Sequence, residues 1–247
     1  AVLGDEDKPS NPGQTLSTND DLRTINISTH EDFAEGDTVA SLTVRGEDTT
    51  RDVAAAPFGG TVTTVNANAF LGDLTIGNES AMEDVRTFTA TGGGDVTVTT
   101  DLDDDGVYSY TTGAGSDTMT MNLDGDAVDT VGESFAVSTG GGADTVTMTM
   151  EAGVSQETMD ELDNLTISTG SGNDSVNLDA YGKFAITTGA GNDFVRINSV
   201  DENGNASTGS WTVGDASANV DNYVDERVLY GAQVTVTFAG FEETVSV

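Results

Sequence analysis

Five segments of this 247-residue chain repeat one pattern, and this repetition limits the possible folds more than any other feature of the sequence. The shared form is an apolar residue, then alternation of apolar and polar residues, then T-G-x-G-x-D-x-U-x-U, where U is apolar; the Phe88 copy is two residues shorter between its aromatic residue and its Asp. The segments are FTATGGGDVTV from Phe88, YSYTTGAGSDTMTMNL from Tyr108, FAVSTGGGADTVTMTM from Phe135, LTISTGSGNDSVNL from Leu165 and FAITTGAGNDFVRI from Phe184. A single copy cannot bury its apolar face, so the repeats predict a stack of similar units.

Each copy alternates with a period of two on both sides of a Gly-rich turn, which predicts strand, tight turn, strand. The 37 Thr and 30 Gly favour strands and turns, so the predicted fold class is all-β, a parallel β-solenoid of the β-roll or β-helix type. Stacked copies would create inward columns of apolar side chains. The first predicted column contains Phe88, Tyr108, Phe135, Leu165, Phe184 and Trp211. The second contains Met119, Val146, Val176 and Val195, and the third contains Met121, Met148, Leu178 and Ile197.

Weaker copies extend the repeats toward both ends. LTIGNESAMED begins at Leu74, WTVGDASANVD begins at Trp211, and VTFAGFEETVSV ends the chain. We therefore predict a solenoid over residues 73–247 with about seven or eight rungs. Residues 1–72 are predicted to form an N-terminal polar arm and a β cap region that covers the first rung. Extra residues fall after the second strand of each copy, so one edge should be regular and the other should carry variable loops.

The charge balance excludes several classes of partner and site. Lys and Arg number 8 against 43 Asp and Glu, which gives a net charge of −35. Such a chain is a poor partner for nucleic acid or for an anionic membrane surface, and it has no apolar run of membrane-spanning length. It contains no Cys, which excludes disulfides, thiolate metal sites and cysteine nucleophiles, and its one histidine, His30, argues against histidine-based zinc sites.

The turn motif TGAGSDTMT at 112–120 and its counterparts at 139–147, 169–177 and 188–196 resemble a known repeat. They are similar to the calcium-binding nonapeptide G-G-x-G-x-D-x-U-x of the RTX family, with Thr in place of the first Gly. The resemblance implies Ca2+ held between the turns of successive rungs by carboxylates and turn carbonyls, the oxygen ligands that calcium prefers. The carboxylates it implies are those of Asp95, Asp117, Asp144, Asp174 and Asp193. The carbonyl-bearing turn glycines are Gly115, Gly142, Gly172 and Gly191.

The motif occurs once per rung, not on both edges in tandem, so it predicts one column of ions. The alternative is that each Asp caps its turn through hydrogen bonds to the backbone, with no metal. A second candidate calcium loop is D-x-D-x-D-G at Asp101, Asp103, Asp105 and Gly106, which matches the start of an EF-hand loop. Position 12 of that loop is Thr112 in place of Glu, so an acidic loop without metal is the other interpretation.

The surplus acidity and the near absence of Lys resemble proteins of salt-loving archaea, whose acidic surfaces are screened by high salt. Repeats, calcium and acidity together predict an extracellular or cell-surface structural protein without enzymatic activity. Such a subunit of a filament, surface layer or adhesin would self-associate, with strand edges available for pairing and surface glycans as a further partner.

Two alternatives to this function stay open. One is a structural protein of a virus infecting a halophile, such as a spike, turret or fibre, located in the virion. The other is a polysaccharide-binding or polysaccharide-modifying β-helix protein, for which Arg196 is the basic residue on a repeat strand near the motif.

Overall fold

The computed structural model describes residues 23–29, 41–45, 62–77, 82, 84–102, 106–123, 133–150, 162–179, 184–197, 209–213, 223–224, 233–238 and 241–246. Within these residues the protein is all-β and contains no helix. Its strands form two sheets that face each other across one core, as the repeats predict.

Sheet A contains ten strands and sheet B contains eight. The strands of sheet A are β1 (Thr24–Ser28), β3 (Thr64–Ala69), β5 (Thr87–Ala90), β7 (Val107–Thr112), β9 (Glu133–Ser138), β11 (Leu162–Ser168), β13 (Phe184–Thr187), β15 (Gly209–Val213), β17 (Gln233–Phe238) and β18 (Phe241–Ser246). The strands of sheet B are β2 (Leu42–Arg45), β4 (Leu74–Gly77), β6 (Val96–Leu102), β8 (Thr118–Leu123), β10 (Thr145–Met150), β12 (Ser175–Asp179), β14 (Phe194–Ile197) and β16 (Tyr223–Val224). Neighbours pair in parallel throughout, except that β18 pairs antiparallel with β17.

A rung consists of one strand from each sheet. The chain runs along a strand of sheet A, crosses through the Gly-rich turn, and continues along a strand of sheet B. It then returns to sheet A through a connection whose length varies, such as residues 103–106 in one rung and 151–161 in another. The parallel β-solenoid is thus confirmed, and in the described part of the chain each rung has two strands, with the repeat turns along one edge.

The N-terminal strands belong to the same stack. β1 pairs in parallel with β3 of sheet A, and β2 pairs in parallel with β4 of sheet B. The described solenoid therefore includes β1 and β2, ahead of residue 73, because these alternating stretches have the same period and pair with the rungs. The predicted polar arm lies outside the described residues.

The inward columns follow the predicted order with two exceptions. Met119, Val146, Val176 and Val195 are in register along sheet B, and so are Met121, Met148, Leu178 and Ile197. In sheet A, Tyr108, Phe135, Leu165 and Phe184 share a column. Phe88 instead pairs with Tyr110, and Trp211 pairs with Ile186. The predicted placement of these two residues is wrong. For Phe88 the reason is that distance from the turn sets the register, and Phe88 lies closer to its turn than Tyr108 does.

Aromatic contacts join successive rungs in the first half of the core. The rings of Tyr108 and Phe135 stack with centroids 4.9 Å apart, and Phe88 meets Tyr110 edge-on at 5.9 Å. The buried Tyr110 hydroxyl donates a hydrogen bond to the Val85 carbonyl at 2.8 Å. Because each rung packs on its neighbours, the rungs stabilise one another and the regular edge is held in a repeating geometry.

Candidate functional site

The repeat turns stack on one another as tightly as the strands do. Ala114, Gly141, Ser171 and Ala190 form parallel bridges from turn to turn. The Ser171 N–H donates to the Gly140 carbonyl at 3.0 Å, and the Ala190 N–H donates to the Gly170 carbonyl at 2.9 Å. Several turn carbonyls therefore already accept a hydrogen bond from the next rung.

The turn glycines are required by both conformation and space. Gly172 has φ +145°, and a Cβ on it would lie 1.4 Å from the carbonyl oxygen of Gly142 in the preceding rung. Gly191 has the same φ, and a Cβ on it would meet the Gly172 oxygen at the same distance. Only glycine satisfies both demands, so these positions set the spacing of the turns.

Four motif aspartates form a buried column that we call the inner ladder: Asp117, Asp144, Asp174 and Asp193. The Oδ1 atom of each accepts a backbone hydrogen bond from the preceding rung. The donors, in order, are the N–H groups of Val96 at 2.9 Å, Asp117 at 2.9 Å, Asp144 at 3.0 Å and Asp174 at 3.0 Å. Each carboxylate thus caps the start of a strand one rung away and ties the two turns together.

The threonine that opens each motif supports the ladder with its hydroxyl group. Thr139 Oγ1 lies 2.6 Å from Asp144 Oδ2 and 3.3 Å from the Thr169 carbonyl oxygen. Thr112 Oγ1 donates to the Thr139 carbonyl at 3.2 Å, and the hydroxyl groups of Thr112 and Thr188 lower the pKa values of Asp117 and Asp193. Sequence reasoning missed this role, although Thr occupies the position in all four good copies. The sequence feature that indicates this role is the Thr at the position where the RTX nonapeptide has Gly, because it places a hydroxyl group beside the aspartate.

Two carboxylate oxygens of the inner ladder are left without a hydrogen bond. The Oδ2 atoms of Asp117 and Asp174 are buried and have no partner of normal hydrogen-bond geometry. A buried charged oxygen in this state costs free energy unless a proton or a cation satisfies it. These two atoms are therefore the acceptors in the ladder that are available to a ligand.

Asp95 lies outside the inner ladder. Thr97 pairs with Thr118, which places Asp95 at the register of Ser116 and the buried Val96 at the aspartate position. The exposed Asp95 accepts a hydrogen bond from the Ser116 N–H at 2.7 Å through Oδ1. The predicted ligand position was displaced by one residue because the turn through Gly92 and Gly94 contains one more residue than the other turns.

Two separate segments of exposed side chains lie beside the inner ladder and together form what we call the outer ladder, and Asp95 belongs to the first segment. Asp73 Oδ1 accepts from the Asp95 N–H at 3.0 Å, and Asn173 Oδ1 accepts from the Asn192 N–H at 3.0 Å. In this outer ladder the side chain points to the next rung, whereas in the inner ladder it points to the preceding one. Two opposed sets of side-chain caps therefore join the turns.

The second candidate calcium loop is described only in part. Asp101 lies in β6, and its Oδ1 accepts a hydrogen bond from Asn122 Nδ2 at 2.6 Å. Asp103 and Asp105 lie outside the described residues. Asp101 is thus a strand residue that pairs with the neighbouring strand, which differs from the first position of a helix-flanked calcium loop.

The environment of Asp117, Asp144 and Asp193 favours the protonated form of these three carboxyls. Burial raises the pKa of Asp144, while the Thr139 hydroxyl and the Asp117 N–H lower it and the charges of Asp174 and Asp95 raise it further. Burial is likewise the main reason that the pKa values of Asp117 and Asp193 are raised. The ladder therefore holds negative charge at a cost that protonation or a cation would relieve.

This environment predicts an unusual dependence of stability on pH. In chelated protein at constant salt, we expect the melting temperature to rise as the pH falls from 7 toward the unfolded carboxyl pKa of about 4. The folded pKa values are raised, so their stabilising contribution is complete below the unfolded pKa and is lost as the pH rises through the folded pKa. Thermal melts of Asp144→Asn and of the exposed control Asp179→Asn separate this effect from general repulsion. Equal slopes in the two variants would contradict it.

A calcium ion fits this edge because of the types of oxygen atom that the edge supplies. Carboxylate and carbonyl oxygens are the donors that calcium takes, and the orphaned Oδ2 atoms of Asp117 and Asp174 supply acceptors. In the described part of the chain no three acidic or histidine side chains converge on one point. An ion would therefore draw most of its oxygens from turn carbonyls and water. These carbonyls have a second lone pair beside the one used by a neighbouring N–H.

Comparisons with known proteins assign this chain to no family. No protein-family model matches it, and neither the curated proteins nor the solved structures give a match. Among the described residues there is no helix with the length and apolar character that crossing a membrane would require. The interpretation of the edge therefore depends on its own geometry.

Proposed function

We propose that this protein is an extracellular structural β-solenoid, a non-enzymatic subunit of a surface assembly such as a filament, a surface layer or an adhesin. The observation that carries the proposal is the unbroken stack. One core and the inner ladder of side-chain caps run from rung to rung, so the described part of the chain is a rod held by repeated contacts. Such a rod offers length and stiffness. The acidic composition suits a surface exposed to salt.

Calcium stabilises the regular edge in this proposal. The ladder places buried negative charge in successive turns and leaves Oδ2 of Asp117 and of Asp174 without a hydrogen bond. A divalent cation bound there would offset the repulsion between neighbouring carboxylates and satisfy these oxygens. The residues that would hold it are the inner-ladder aspartates and the carbonyls of Gly115, Gly142, Gly172 and Gly191.

The decisive experiment titrates chelated protein with calcium, in low salt and in molar salt. We expect calcium at up to about millimolar concentration, typical of extracellular sites, to raise the melting temperature and to promote assembly. Circular dichroism follows the fold, and negative-stain images follow the assembly. Magnesium is the matched ion control, because it demands a smaller octahedral site. If molar salt alone restores both signals and calcium adds nothing, the metal part of the proposal is refuted.

A virion protein is the alternative that the same rod would serve, because spikes and fibres also need stiff repeated units. The two settings differ in what surrounds the rod, not in how its rungs are held. Labelling cells and virus particles with an antibody shows where the native protein is located. The result separates a cell-surface protein from a virion protein.

A further inference from the structure

The outer face of sheet A differs in charge from the rest of the molecule. Two columns of outward side chains run along it, which we call the neutral face. The first column contains Thr64, Thr87, Ser109, Ala136, Thr166 and Ala185. The second contains Asn66, Thr89, Thr111, Ser138, Ser168 and Thr187. None of these twelve residues is charged, in a chain whose net charge is −35.

The outer face of sheet B provides an internal comparison. It has the same strand geometry and also carries threonines, but Asp101, Asp179 and Arg196 lie among its described outward positions. Asp101 and Asp179 lie in the column of sheet B farthest from the repeat turns, and Arg196 lies at the end of another column. The two columns of the neutral face contain no such charges.

The neutral face also exposes apolar atoms. Val107, on the same side of β7 as Ser109, is 61% exposed, the largest value among the exposed large hydrophobic residues described. Ala136 and Ala185 are exposed as well. Small side chains and threonine methyl groups make the face flat, so a second flat face can approach closely. Packed sheets lie about 10 Å apart.

The geometry points to a second copy of this chain as the occupant: we propose that the neutral face is a lateral interface through which two solenoids pack sheet against sheet. Charge argues for this occupant. Two copies that meet through any acidic surface repel each other, whereas contact through the neutral face leaves the acidic turns directed away. This inference rests on the proposed function, since it names the surface by which the structural subunit self-associates.

The available area suits a weak contact. The six strands that carry the two columns, about 4.8 Å apart and about five residues long, span roughly 24 by 16 Å. Pairing two such faces would bury about 800 Å² in total, the size of a weak or transient interface. The interface would be isologous, with the same patch on both copies. Molar salt would strengthen it by screening the remaining repulsion between the two acidic molecules.

The test places charge on each face in turn. Ala136→Asp combined with Thr166→Asp puts two carboxylates on paired outward positions of sheet A. Thr120→Asp combined with Thr147→Asp puts two on paired outward positions of sheet B and is the matched control. Sedimentation velocity in molar salt, at protein concentrations up to about 1 mM, detects even weak self-association. We expect native protein and the control to associate laterally, and the sheet A variant to lose that association.

A second readout does not depend on the charged variants folding. The chain has no cysteine, so Ala136→Cys and Thr120→Cys each introduce a single thiol. Where most molecules are paired, maleimide should label Ala136→Cys about tenfold more slowly than in dilute monomer, and label Thr120→Cys at an unchanged rate. Equal labelling at both concentrations, or protection of both thiols, overturns the inference.

The outcomes separate this inference from the proposed function. If the protein assembles end to end and the sheet A variants have no effect, the structural role stands and the neutral face is not the interface. If folded native protein stays monomeric under every condition, including calcium, both fail. If the sheet A variants abolish only side-by-side pairing in negative-stain images while rods remain, both hold.

Discussion

Replacing Gly172 with alanine should prevent the native stacking of the turns and destabilise the solenoid by about 3–5 kcal/mol, the sum of a backbone and a packing term. The backbone term arises because φ is +145°, where an alanine is strained. The packing term arises because the new Cβ would lie 1.4 Å from the Gly142 oxygen and 2.5 Å from its carbonyl carbon. Both atoms belong to backbone that is itself bonded to neighbouring turns, so neither can move without displacing a rung.

Two other glycines in equivalent turns serve as controls for the two terms. Gly93 has φ +100°, and a Cβ on it would meet nothing within 4 Å, so Gly93→Ala isolates the backbone term at about 1 kcal/mol. Gly141 lacks a positive φ, and its Cβ would meet the Ser171 hydroxyl at 3.0 Å and the Ser171 carbonyl oxygen at an ordinary 3.7 Å, so Gly141→Ala should cost less than Gly172→Ala. Denaturant unfolding in molar salt measures all three. A Gly172→Ala variant as stable as Gly93→Ala would contradict the stacking of the turns.

The sequence predicts the fold because its repeats carry the same period on both sides of each turn. Met119, Val146 and Val176 could be placed in one column because each lies two residues after its motif aspartate. Aromatic character alone predicts the wrong register for Phe88 and Trp211, which pair with Tyr110 and Ile186. For Phe88, distance from the turn decides the pairing. Similarity between apolar side chains therefore predicts which residues form the core, but the pairing of the backbone decides which of them lie next to each other.

The site was predicted less completely than the fold. The four inner-ladder aspartates share one spacing from the turn glycines, and the structure brings them into a single column. One extra residue in a turn moves Asp95 to the outer ladder, and this shift becomes visible only when strand pairing is known. The direction in which each carboxylate points, back toward the preceding rung, follows from side-chain geometry that no spacing rule contains.

Removing the Asp144 side chain should be among the most damaging changes at the regular edge. Asp144→Ala leaves the buried Asp117 N–H without its acceptor and removes the 2.6 Å contact to the Thr139 hydroxyl. The orphaned Asp117 N–H costs about 1–3 kcal/mol, and the lost hydrogen bond between the Thr139 hydroxyl and the carboxylate costs about 1–2 kcal/mol, so we expect a loss of about 2–5 kcal/mol. Denaturant unfolding of chelated protein measures it, with the exposed Asp179→Ala as the control. Equal stability of the two variants would show that the ladder contributes little to folding.

Asp144→Asn separates the capping role of this residue from its charge. An asparagine keeps an Oδ1 for the Asp117 N–H, and its amide can donate to Thr139, whose hydroxyl can turn toward the Thr169 carbonyl at 3.3 Å. In chelated protein we therefore expect this variant to stay within about 1 kcal/mol of native, because both hydrogen bonds survive and a buried charge is removed. If calcium binds the ladder, Asp144→Asn should also lose most of the calcium-induced rise in melting temperature, while Asp179→Asn keeps it. If native protein and Asp144→Asn respond to calcium alike, Asp144 acts as a cap between rungs and takes no part in binding the ion.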